Sequence, residues 1–488
     1  MSKQLNQHSV KYNFIMNFIL TASNFVFPLI TFPYVSRILL ASGNGKVNFA
    51  ASVANYFMMV ASLGIPTYGI RACAKVRDDK DALSKTVQEI LIINLVSSAI
   101  VTFTYLVCIF TVPRFAQDKT LYLIEGVNIV LNMFGVNWLY QALEQYDYIT
   151  ARSVIFKFIS MILMFLLVHQ QSDYRIYAAI TVLAAVGSNV LNFIRLRRFV
   201  TLKRFKNYEF RKHLRPIFIL FAQNVTVSIY TNLDTVMLGF MKNDEAVGLY
   251  TAAVKVKGIL LSIVASLGSV LLPRMSYYVK KNAKEKFYQL LRIALNAELF
   301  MSLPLAIYFS IESQNCILLL AGQGYLGAIH AMAIITIAII PNGLTGVIGV
   351  QTLTPLNREK EVLYSVIVGA VSDFVLNLIM IPQWGAAGAA LATTIAEFLV
   401  LLVQVILARD ILQHVAHEVQ VAKYLLITIV AVIPTFILTQ RLQYNVFINL
   451  VITAVVFFGI YVLILYVVKD ELLNRALDNK VTRRLIRK

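Results

Sequence analysis

Of the ionisable side chains inside long apolar runs of this sequence, seven are candidates for chemistry at membrane depth: Asp234, Lys255, Lys257, Arg292, Glu298, Asp373 and Glu397. A charge at bilayer depth is costly unless it faces a cavity or a partner, so these residues are where transport chemistry would be built. Asp234 and Lys255 sit on consecutive apolar runs, about 10–14 Å and 13–18 Å from the connection near Asn243 at 1.5 Å rise per residue. An ion pair between Asp234 and one of the lysines is therefore open to the chain. Lys255 and Lys257 lie about 200° apart around a helix, so both cannot face one point. Two readings follow. Asp234 and a lysine neutralise each other and lock two helices, or Lys255, Lys257 and Arg292 line a cationic cavity for an anionic cargo. Arg292 is also close enough to the end of its run to snorkel out. Asp373 and Glu397 suit either a coupling cation or a polar helix–helix contact.

Other patterns fail on context. Gly322-Gln-Gly324-Tyr-Leu-Gly327 matches a dinucleotide fingerprint but follows an apolar run rather than a strand. Gly43-Asn-Gly45-Lys46 lacks the upstream glycine and the following Ser or Thr of a phosphate loop. With no ATPase motif, any pumping draws on gradients or on downstream consumption. His414 and His417 with Glu418 could ligate metal from one helical face, but no further ligand is evident and a solvated helix explains them. Cys73, Cys108 and Cys316 show no paired spacing, so neither disulfides nor zinc are expected. No catalytic constellation and no cofactor site is expected.

The elements that must position these charges are set by composition. Of 488 residues, 58% are hydrophobic and 14% charged, with mean hydropathy +0.71. No single soluble core hides that much apolar surface, whereas a bilayer solvates it. Apolar runs of about twenty residues, each enough to cross the hydrocarbon, recur at 12–36, 47–69, 86–110, 120–142, 153–168, 177–194 and 216–240. The remaining seven are 246–272, 288–311, 325–351, 362–381, 385–407, 421–439 and 445–468. The fold expected is all-α, with about fourteen transmembrane helices. Pro341, Gly343, Gly346 and Gly349 should interrupt the tenth. The first run is too long for a signal peptide and lacks a cleavage site, so it reads as a retained span.

The net charge of +19 follows topology rather than nucleic acid. Basic residues crowd the loops 71–85, 195–215 and 274–286 and the tail 469–488, while the opposite loops hold few. That asymmetry predicts cytoplasmic N- and C-termini. Loop 195–215, the longest and most basic, divides the chain. Ala61-Ser62-Leu63-Gly64 in span two recurs as Ala265-Ser266-Leu267-Gly268 in span eight, and Ser153-Val154 and Ser365-Val366 open spans five and eleven. The expected organisation is a six-helix lobe over 1–194, a cytoplasmic linker over 195–215 and a second six-helix lobe over 216–410. Two extra helices and a basic tail fill 411–488. Internal repeats of this kind are common in transporters, with the substrate path between them.

Four stretches carry a resemblance: Phe32-Pro33-Tyr34-Val35-Ser36-Arg37; Asn137-Trp138-Leu139-Tyr140-Gln141 through Arg152; Asn232-Leu233-Asp234 through Leu272-Pro273-Arg274; and Asn377 through Gly385-Ala386-Ala387-Gly388 to Glu397. Together they resemble the polysaccharide transporters, Wzx-type oligosaccharide-lipid flippases of the multidrug/oligosaccharidyl-lipid/polysaccharide flippase superfamily. Ala142 stands where the family tends to have glycine, and the turn Ser42-Gly43-Asn44-Gly45 is a loose version of the family's. The resemblance implies a two-lobed carrier with no enzymatic activity, in the bacterial cytoplasmic membrane. Its cargo would be an undecaprenyl-diphosphate-linked sugar repeat unit for capsule, O-antigen or exopolysaccharide, moved by alternating access. Arg37, in the first stretch, joins the cavity candidates. A polysaccharide polymerase and a chain-length regulator are the implied partners besides membrane lipids, with no nucleic acid. The nearest rivals are a lipid II-type flippase and a drug or cation antiporter of the same fold. The antiporter would favour a carboxylate in the core of the first spans, where only Glu89, near a span start, and Glu125 stand. A membrane glycan polymerase, which would need a large outer loop, ranks below both.

Overall fold

The computed structural model describes residues 10–201, 203–442 and 444–478, so residues 479–488 of the basic tail lie outside the described residues. Among the described residues the chain is helical and has no strand. Eleven stretches are long and apolar enough to cross a membrane. The first, Ile15–Ala74, has 60 residues, enough for two crossings at about twenty residues each. It is broken at Leu40, whose φ of 55° no helix accommodates. Helices Lys119–Met133 and Arg211–Met241 stand where the sequence places spans four and seven. Side chains such as Phe103 and Val455 are 70% and 67% exposed. Water would penalise them and hydrocarbon does not. This is a multi-pass helical membrane protein.

Several boundaries differ from those the hydropathy predicts. Span two ends early, because the chain breaks at Leu63 (φ 48°) and restarts at Ile65 with Pro66 in the first turn. Span four stops at Met133 rather than 142. A turn through Phe134 and Gly135 separates it from the short helix Asn137–Ala142. Span five is longer than expected, Tyr146–Leu167. Asp79 caps span three by accepting from the Asp81 and Ala82 N–H groups.

Contacts divide the chain into two units, Met1–Gly248 and Leu249–Lys488. In the first, span seven packs through Phe240 against Phe49 and Phe115, with ring centroids 5.3 and 5.7 Å apart. Two backbones meet where spans one and two join. A Cβ on Gly45 would overlap the Asp244 carbonyl, and one on Gly248 would overlap the Ala41 carbonyl. Arg114 closes the same region with an ion pair to Asp244 at 2.5 Å.

The basic loop 195–215 is pinned to the start of span three. Gln88 Nε2 donates to the Thr201 and Lys203 carbonyls at 2.7 and 3.1 Å, and the Thr201 N–H donates to Ser84 Oγ. Glu89, with no exposed surface, accepts from the Glu209 N–H and from His213 Nε2, both at 2.7 Å. With Nε2 donating, a neutral His213 has Nδ1 free to accept from Tyr68 Oη at 2.7 Å. The Glu89 carboxylate thus serves as an architectural anchor for the linker.

The second resembling stretch also proves structural. Arg152 donates to Asn137 Oδ1 and the Ser188 carbonyl, Tyr140 donates to the Asn192 carbonyl, and Arg195 lies 3.8 Å from the Tyr148 ring centre. These bonds fix the break after span four against spans five and six. Arg77 bonds Glu144 at 2.7 Å, and that carboxylate holds the guanidinium above its ordinary pKa.

In the second unit, spans thirteen and fourteen dock on span nine. Tyr461 Oη donates to the Phe300 carbonyl and Tyr308 Oη to the Leu450 carbonyl, around a core of Leu299, Leu303, Tyr424 and Phe457. Just beyond span fourteen, Asp470 is buried. Burial pushes its carboxyl up, but Lys423 Nζ at 2.5 Å, the Leu473 N–H and Tyr424 Oη outweigh this and leave it below the usual range. A carboxylate depressed in the folded state stabilises above its unfolded pKa of about 3.9 and loses that contribution as pH falls through the folded value. Thermal unfolding in detergent should therefore show the wild type losing stability below about pH 4 more steeply than Asp470→Asn. The variant should start less stable at neutral pH. Parallel pH profiles would contradict this.

Candidate functional site

Three of the charges predicted within the membrane, Lys257, Glu298 and Glu397, lie around span ten, which is interrupted near Pro341. Helix Ile329–Ile337 gives way to Ile339–Thr345 and then to a π-helical segment, Gly346–Leu353. Proline offers no N–H to the carbonyl four residues back and crowds it. Just before the proline, the Ala338 N–H bonds the Ile335 carbonyl in a tighter turn. The glycines beyond it leave room for polar side chains of neighbouring spans. A Cβ at Gly343 would overlap Glu298 Oε1 of span nine, and one at Gly349 would stand 2.9 Å from Gln404 Nε2 of span twelve. Gln404 Nε2 in turn donates to Ser365 Oγ at 3.0 Å.

At this break Lys257 of span eight lies 3.7 Å from Glu397 Oε1 of span twelve, with 13% and 6% of their side chains exposed. Asn342 Nδ2 donates to the same carboxylate oxygen. A cavity candidate and a coupling-ion candidate of the sequence thus form one site, with an amide from the broken helix as third member. The arrangement balances charge: the carboxylate cancels the ammonium while Asn342 keeps the carboxylate oriented. Glu298 is 4% exposed, and its Oε1 has no hydrogen-bond partner among the described residues.

The remaining candidates are spread out. Lys255 is half-buried, roughly 200° round the helix from Lys257. Asp373 and Asn377, four residues apart on one face of span eleven, are fully buried. Asp234 is buried on span seven, in the first unit. Arg37 is exposed and bonds the Pro33 carbonyl of its own helix at 2.5 Å. Arg292 bonds Glu418 and lies 3.5 Å from Glu471, carboxylates of the segments that follow spans twelve and fourteen. Its guanidinium therefore turns to the end of span nine. Glu418 is committed to Arg292, and His414 stacks on Tyr288 at 4.6 Å. Among the described residues no group of three or more His, Cys, Asp and Glu is placed to hold a metal.

Sequence reasoning missed Lys157. It stands at the middle of span five, Tyr146–Leu167, and bonds Ser23 Oγ and Asn24 Oδ1 of span one at 2.7 and 2.5 Å. The signal was present, since residue 157 lies inside the apolar run 153–168. Glu125 in span four is buried and accepts from Asn128 Nδ2 at 2.9 Å.

Comparison with known proteins agrees with this architecture. The chain is 22% identical to a putative O-antigen transporter of Escherichia coli (strain K12) over 407 residues, 83% of this chain and 98% of that one. It is 23% identical to a putative O-antigen transporter of Shigella dysenteriae over 406 residues, 80% and 98% of the two chains. Among solved structures, the lipid II flippase MurJ in an inward closed conformation superposes with a TM-score of 0.73. It covers 94% of this chain and 99% of that one at 15% identity, a likeness of fold. Residues 10–279 match the family described as polysaccharide biosynthesis protein. With more than half its length inside that pattern, the chain belongs to the polysaccharide biosynthesis protein family.

Proposed function

We propose that this protein is a flippase for lipid-linked oligosaccharides. It moves an undecaprenyl-diphosphate-linked repeat unit from the cytoplasmic to the outer leaflet of a bacterial membrane, for O-antigen, capsule or exopolysaccharide synthesis. The observation that carries this reading is the alignment with two O-antigen transporters over 98% of each of their lengths. Charged and polar side chains buried around a broken helix support it, because such breaks at membrane depth mark transport paths. The protein translocates without making or breaking covalent bonds. Both termini are cytoplasmic, six-helix lobes flank the linker 195–215, and two spans are appended. Lys255, Lys257, Arg37 and Arg292 are the cationic candidates for the diphosphate, and Asp234 is a further substrate-binding candidate. Asp373 and Glu397 are candidates for a coupling cation. A polymerase and a chain-length regulator would consume the product.

Deletion should accumulate single lipid-linked repeat units reachable only from the cytoplasmic leaflet, read by periodate or lectin labelling of oriented vesicles. Accumulation on the outer leaflet would point to a polymerase and overturn the reading.

A further inference from the structure

Spans one and five run in the same direction and in strict register. Thr150 Oγ1 donates to the Met16 carbonyl, Lys157 Nζ to Ser23 Oγ, and Tyr34 Oη to the Val168 carbonyl, at 2.9, 2.7 and 2.8 Å. Each of these pairs is 134 positions apart in the chain. Eighteen residues separate the first pin from the last, about 27 Å at 1.5 Å per residue, close to the thickness of the hydrocarbon. The outer two pins are neutral hydrogen bonds. The middle one, about 10 Å from the first pin, is made by an ammonium.

A staple alone does not explain that charge. The end pins hold the helices with a hydroxyl and a phenol, and a glutamine at 157 could reach the same acceptors without an ionic group. Among the described residues, Lys157 bonds two neutral oxygens and its half-buried side chain has no carboxylate in ion-pair contact. Ser23 is buried while Asn24 is exposed, so the amine sits at an accessible edge of the pair. An amine at membrane depth that is held by neutral dipoles, with no carboxylate to balance it, is left available to an anionic third party. This contrasts with Lys257, which a carboxylate already balances.

We propose that Lys157, positioned by Ser23 and Asn24, is an anion site in the first unit that takes the diphosphate of the lipid cargo. The assignment rests on the flippase reading. Phosphate esters also occur on bulk lipids, so the test separates the two sources. The full chain is placed in phosphatidylcholine nanodiscs and titrated with undecaprenyl diphosphate, followed by native mass spectrometry. Undecaprenol and phosphatidylglycerol serve as comparisons. Wild type should bind the diphosphate at least tenfold more tightly than undecaprenol. Lys157→Gln should lose about tenfold and Lys157→Arg should retain most of the affinity, as expected when one charge-assisted contact is removed or kept.

Equal affinity of Lys157→Gln and wild type would overturn the site while leaving the flippase reading intact. Displacement by equimolar phosphatidylglycerol would overturn its assignment to the cargo. A wild type that binds undecaprenyl diphosphate no better than undecaprenol would undercut the flippase reading itself. If Lys157→Gln does not fold, Ser23→Ala with Asn24→Ala keeps the charge and removes its holders. Several-fold weaker binding is then expected, and unchanged binding would count against the proposal.

Discussion

Glu397→Ala should be among the most damaging single substitutions in the membrane, lowering stability by about 3–5 kcal/mol, because it strands the mostly enclosed Lys257 ammonium. The expected pattern is asymmetric. Lys257→Met leaves a carboxylate that keeps its bond from Asn342, so its cost should be smaller. The double variant Glu397→Leu with Lys257→Met removes both charges and should recover most of the loss, as buried pairs replaced by apolar groups often do. Thermal unfolding of the purified variants measures the cycle, and glycan export in a deletion strain measures function. Recovered stability without recovered export would assign the pair to transport. Additive losses in the double variant would mean that the two side chains do not interact.

The second large effect is expected where the joint between spans one and two meets the start of span eight. Gly45→Ala and Gly248→Ala each drive a Cβ into a backbone carbonyl, at Asp244 and Ala41 respectively. No rotamer relieves a clash with backbone, so whole segments must separate, at about 1–3 kcal/mol each or more. The Arg114–Asp244 ion pair lies in the same region, so loosening there should also weaken it. Both variants should show reduced membrane yield and lower unfolding midpoints, with the pair non-additive because one separation relieves both clashes. Wild-type yield and midpoint for either would refute the close approach. Gly343→Ala is a milder case, since the Glu298 carboxyl it meets sits on a flexible side chain that can swing aside.

The spans were legible because the bilayer imposes a length and an apolarity that any sequence must declare. The break in span ten was legible too, since proline acts on its own helix. What the sequence hid depends on partners far along the chain. Arg292 finds Glu418 and Glu471, and Lys257 finds Glu397, across more than a hundred residues that no periodicity connects. Glu89 read as a stray carboxylate near a span end, yet it anchors a linker some 120 residues away through His213 and the Glu209 amide. The motif from Asn137 to Arg152 announced kinship strongly, but its side chains bond one another and fix a turn. Lys157 escaped because span five was read as short, which hid that residue 157 is its midpoint.

The π-helical segments carry a consequence for comparing this chain with others. Hydrogen bonds that reach back five residues instead of four accommodate one residue more than an α-turn would. Span six has such a turn at Leu183–Gly187 and span ten has a longer segment at Gly346–Leu353. A relative whose span is plain α-helix there would align only after a one-residue gap. Counted without that gap, every later position in the span falls one step out of phase, about 100° around the helix. In span six, residues matched by number past Gly187 would then be compared little more than a quarter-turn apart.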